Sequence, residues 1–154
     1  MIAVRLDPAE ALRVVIVGAQ RQLASVYAGR TPGHRFDGDP WAAHIEGAAG
    51  EYAAAKALGI HWPGHVDAFD QVPDLAPQPW DVRTAAPGRR LIVHPEDPDD
   101  RLSILVLGSM PDYQVVGYMR NRDAKDRRWW DDPAGGRPAY FIPADRLQPT
   151  QPRG

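Results

Sequence analysis

Four side chains in this sequence have the types that phosphodiester chemistry uses: Glu51, Asp74, Asp81 and Arg83. Cutting such a bond needs an activated water, an in-line approach and positive charge on the developing pentavalent phosphate. Magnesium or manganese (Mg2+ or Mn2+) supplies that charge and orients the water, and such hard cations require carboxylate oxygens. Two or three acids must therefore converge from separate elements, with a cationic side chain nearby to steady the phosphate. Asp81 and Arg83 lie two apart in the stretch Trp80-Asp-Val-Arg-Thr84, which has strand character. Strand side chains alternate, so these two share one face while Val82 points into the core.

Glu51 must be delivered by a helix. Asp39-Pro40-Trp41 is a helix start, with Asp39 as cap and Pro40 in the first turn, and Gly59 is the stop. Between them Gly47, Ala48, Ala49, Gly50, Ala53, Ala54 and Ala55 let another backbone come close. Packing explains those small residues but not Glu51 among them; the competing reading is an ordinary solvent-facing glutamate. Asp74 follows Pro73 in the proline-rich connection 71–79, with Asp67 and Asp70 as alternative acids from the same region.

The elements around this centre follow from local signals. Residues 1–6 form a short strand or a loose lead. Asp7-Pro8-Ala9-Glu10 starts a first helix with a capping box, and Leu12, Val15, Ile16, Ala19, Leu23, Val26 and Tyr27 keep helical spacing to about Gly29. That apolar face packs on the domain or on a second copy of the chain. Val66–Phe69 reads as a short strand. Trp80–Ala85 and Arg89–His94 flank Ala86-Pro87-Gly88, the signal of a hairpin. Leu102–Leu107, Gln114–Met119 and Ala139–Ile142 are further strands, so an antiparallel meander with helices on one face is expected. His61 and His65 lack a helical register because Pro63 and Gly64 intervene. The acidic run Pro95–Asp100 lacks the glycine and ligand spacing of a calcium loop and reads as a solvated turn.

A second chemical feature lies at residues 120–130. Arg120, Arg122, Lys125, Arg127 and Arg128 outnumber Asp123 and Asp126, and Trp129-Trp130 follows at once. Cations beside aromatics suit phosphates and unstacked bases; the alternative is a solvated helix anchored in the core by its tryptophans.

Composition sets the outer bounds. A chain of 154 residues suits a single α/β (α+β) domain with a mostly antiparallel or mixed sheet flanked by helices. Within it, 1–30 is an N-terminal helical part, 40–147 the core and 148–154 a loose tail. The absence of cysteine excludes disulfides and cysteine-based zinc sites. That absence suits a cytoplasmic protein, and no stretch suits a membrane span or a signal peptide. The net charge of −2 means that nucleic acid must be held by a local patch.

Taken in order, Gly50-Glu51 in an alanine-rich helix, then Pro73-Asp74, then Asp81-Val82-Arg83 resembles the PD-(D/E)XK nuclease superfamily, in particular its small phage and bacterial members. Arg90–Val93, Ser103–Val106, Val115–Met119 and Tyr140–Pro143 resemble its later segments, so the likeness covers roughly 44–147. It implies a restriction-endonuclease-like fold acting on DNA. Glu51, Asp74 and Asp81 would be metal-binding acids, and Arg83 would stand where the family carries its catalytic lysine. Arginine stays protonated, so it can neutralise a phosphate but not act as a general base. Two rivals follow: a catalytically silent nucleic-acid-binding module of the same fold, and a protein-interaction factor that dimerises through the first helix.

Overall fold

The computed structural model describes residues 1–31, 38–67 and 71–151. It is a single small α+β domain. Strand β1 (Ile2–Arg5) leads into helix α1 (Pro8–Tyr27), and helix α2 (Pro40–Leu58) follows. Both helices begin as their caps dictate. Asp7 accepts from the Glu10 amide while the Glu10 carboxylate accepts from the Asp7 amide, and Asp39 accepts from the Trp41 amide. Helix α2 ends on Gly59 in the left-handed conformation, φ 65°. Helix α1 stops at Tyr27, two residues short of Gly29.

Next come β2 (Trp80–Ala85), β3 (Leu91–Val93), β4 (Leu102–Ser109) and β5 (Asp112–Arg120). The short helix α3 (Asn121–Ala124), β6 (Trp130–Asp131) and β7 (Ala139–Ile142) complete the order. The main sheet runs β1-β5-β4-β2, and a second sheet runs β3-β7-β6. It is a mixed sheet: β4 pairs antiparallel with β5, but β2 pairs parallel with β4, Asp81 opposite Ser103 and Arg83 opposite Leu105.

The turn at 86–88 therefore does not close a hairpin. β3 leaves the main sheet and pairs with β7, Leu91 opposite Ile142. This corrects the expected meander. The physical reason is the second apolar set: Leu91, Val93, Leu105, Val116, Met119, Ala124 and Ile142 pack together on the side of the sheet away from the helices. A hairpin would have left that face uncovered. The tail also differs from expectation, since Gln148 exchanges backbone hydrogen bonds with Tyr118 and Thr150 is buried. The Val66–Phe69 strand is not formed at Val66 and Asp67, which are bends, and its remainder lies outside the described residues.

From Ala48 onward helix α2 is enclosed, which explains the alanines on its several faces there. A Cβ at Gly18 of α1 would collide with the Ile45 backbone, and one at Gly50 would run into the Thr84 hydroxyl of β2. These two close approaches press α1, α2 and the edge strand β2 into one stack, and the candidate site forms at that edge.

Candidate functional site

Glu51, Asp74, Asp81 and Arg83 line one cavity of about 530 Å3. It bends around the open edge of β2. Val82 belongs to the core beneath the helices, so Asp81 and Arg83 face the opposite side, as alternation predicts. Asp74 sits on the edge itself, where its Oδ2 accepts from the outward amide of Val82 at 2.7 Å. Asp74 thus reaches the site from its proline-rich connection. Asp67 is drawn instead into an exposed ion pair with Arg30, and Asp70 lies outside the described residues.

Glu51 is fully engaged. Arg21 of α1 grips it bidentately at 2.7 and 2.9 Å, and the Trp62 indole donates to Oε2 at 3.0 Å. Arg21 also donates from Nε to the His65 carbonyl, which ties the 61–65 loop to both helices. His65 lines the cavity, and its Nε2 is buried without a hydrogen-bond partner among the described residues.

Asp81 meets Arg101 at 3.2 and 3.3 Å, the long end for a charge-assisted contact. Burial raises its pKa, and Arg101 and Arg83 offset this only in part. Arg83 donates to Asp97 at 2.7 Å and to the Ile92 carbonyl at 3.3 Å. Burial opposes its charge, yet Asp97, Asp81 and Asp74 together hold it more firmly protonated than a free arginine. Asp74 alone has no ion pair among the described residues. Burial, then the charge of Glu51, pushes its pKa up to about 7 against the Val82 amide, and Asp81 adds to the rise.

Sequence reasoning missed Arg21, Arg101 and Asp97. The signal for Arg21 was its place on the same side of α1 as Val14 and Gly18, where a charge needs a buried partner. Arg101 directly precedes β4, and only the parallel β2–β4 register brings it beside Asp81. The acidic run is not merely solvated: Asp97 accepts from Arg83 and from the His94 amide, and Asp99 pairs with Lys125.

The basic segment leans on that same wall. Lys125 donates to the Asp97 carbonyl, while Arg120, Arg122 and Arg127 are exposed. Trp129 is half-buried on the second core with Arg128 over its ring, and Trp130 is 46 % exposed against Tyr140.

No protein-family model, curated protein or solved structure matches this chain. The chemistry of the site therefore rests on its own residues.

Whether those residues suit a divalent metal divides along the cavity. Among the described residues, no three His, Asp or Glu side chains gather as a metal site. Asp74 and Asp81 nonetheless fit a hard cation, because both carry negative charge that their surroundings leave undercompensated. Magnesium is commonly held by one or two carboxylates with substrate phosphate and water completing the shell. Glu51 offers no free oxygen while Arg21 and Trp62 hold it.

Proposed function

We propose that the cavity is a nuclease-like site for metal-dependent hydrolysis of phosphodiester bonds in DNA. The observation that carries this reading is the convergence of Glu51, Asp74, Asp81 and Arg83, from a helix, a connection and a strand, on one cavity. Asp74 and Asp81 would hold Mg2+ or Mn2+, which supplies Lewis acidity and a water of lowered pKa. Arg83, firmly charged, would neutralise a phosphate oxygen in the cavity, and Arg101 would keep Asp81 aimed at it. Arg21 and Trp62 fix Glu51, and through it the wall that α1 and α2 build. The strand of DNA would lie along Arg120, Arg122, Lys125, Arg127 and Arg128, with Trp130 open for stacking and Trp129 supporting it from the core.

A second reading, a binding module that does not cut, draws on a specific observation: Arg83 is committed to Asp97 and Glu51 to Arg21. The test is cleavage of single- and double-stranded DNA with Mg2+, Mn2+ or EDTA, with Asp81→Ala alongside. Metal-dependent cutting that disappears in Asp81→Ala supports hydrolysis at this site. DNA binding without cutting by folded protein selects the silent module, and neither binding nor cutting defeats both.

A further inference from the structure

Helix α1 has two faces with different partners. Its inward face carries Val14, Gly18 and Arg21 to α2 and the cavity. Its outward face leaves Leu12 61 %, Ile16 50 %, Leu23 43 %, Val26 54 % and Tyr27 88 % exposed. With half-buried Ala19 the stripe reads Leu12, Ile16, Ala19, Leu23, Val26, separated by four, three, four and three residues. That alternation averages 3.5 residues, the spacing of a seam between two helices rather than of a helix lying on a sheet.

The stripe carries no charge. The charged side chains of α1 are all directed elsewhere: Glu10 to Lys56, Arg13 over the rings of Tyr52 and Trp62, Arg21 to Glu51. A nucleic-acid or anionic lipid partner would need cations here, and there are none. The spacing is instead complementary to itself. Reversed about Ala19, it sets Leu12 against Val26 and brings Ile16 within one position of Leu23, close to what a twofold contact requires. The five exposed side chains leave on the order of 500 Å2 of apolar surface open, at the upper end for a single patch on a monomer. That is the larger part of the roughly 800 Å2 each partner gives to a standard interface.

We propose that α1 is the interface of a homodimer, two copies pairing antiparallel about a twofold axis near Ala19, where the smallest side chain of the stripe lets the helices cross closely. Arg21 points away from the seam, so the two cavities open on opposite sides of the dimer. This assembly stands independently of what the cavity does.

The test is the mass of the full chain in solution by sedimentation velocity across the micromolar range. A dimer is expected, and Leu23→Glu should weaken it on the order of 100-fold by setting like charges into the seam. Circular dichroism would verify that this variant, altered at an exposed position, remains folded. The chain has no cysteine, so orientation can be read by cross-linking. Ala19→Cys should oxidise to a covalent dimer, and Leu12→Cys should do so only together with Val26→Cys. A monomer at every concentration, or a dimer indifferent to Leu23→Glu, would overturn the proposal. Efficient cross-linking of Leu12→Cys alone would overturn the antiparallel arrangement.

Discussion

Glu51 and Asp74 line the same cavity, and each is a carboxylate largely withdrawn from water, yet their surroundings treat them in opposite ways. Glu51 receives two guanidinium bonds and an indole bond. Asp74 receives one backbone amide and the repulsion of its neighbours. A buried acid that is fully paired stiffens the walls of a site. One left short of positive charge is a place where a cation or a proton gains most by arriving. The comparison separates the part of the cavity that builds it from the part that can bind.

Breaking the paired side should have the largest effect. Arg21→Met leaves Glu51 buried beside Trp62 without its cation and should cost about 3–5 kcal/mol, read from denaturant midpoints. Adding Glu51→Met to Arg21→Met should restore much of that loss, because an apolar pair of similar volume replaces a buried ion pair.

The unpaired side should respond to pH with the opposite sense. The pKa of Asp74 is raised by folding, so its favourable contribution is complete below the unfolded value near 4 and is lost as pH rises through about 7. Asp74→Asn removes that dependence. The stability of the variant relative to the parent should therefore climb between about pH 4 and pH 7, by a few kcal/mol at most, and level off above. Thermal melts of both proteins at pH 5 and pH 8 measure it, and a constant difference would contradict the assignment.

Metal sharpens the contrast. At pH 8, Mn2+ at about 100 times its dissociation constant should stabilise the parent by about 2.7 kcal/mol, and Asp74→Asn should lose that gain. The smallest effect belongs to the rim. Arg127→Ala should alter stability by less than about 0.5 kcal/mol. On DNA it should lower the slope of log affinity against log salt by about one.

How much of this could be read from the sequence differed from element to element. The helix starts at Asp7 and Asp39 and the stop at Gly59 were legible because caps act within a turn of chain. The shared face of Asp81 and Arg83 was legible because alternation is local. The parallel partner of β2 was not, since no local signal says that the turn at 86–88 leads away to β7. Without that pairing Arg101 has no visible reason to meet Asp81. Asp97 was hidden for a related reason: six residues rich in proline and acid look solvated until Arg83 is brought to them from another strand. Glu51 could be chosen from its setting among alanines, but its partner Arg21 required knowing which side of α1 faces inward.

The pairing of β1 with β5 has a consequence for how the protein is made. Among the described residues the strand that pairs with Ile2–Arg5 is Asp112–Arg120, which the ribosome makes much later; the Arg5–Asp112 ion pair spans the same gap. At ribosomal speeds that interval lasts roughly 5–20 s. Throughout it β1 has no partner in the sheet, and α1, apolar inward and outward, has only α2 to lean on. Nascent chains halted before residue 112 should be the form most dependent on chaperones and quickest to aggregate, because the sheet gains its first edge only when most of the polypeptide has emerged.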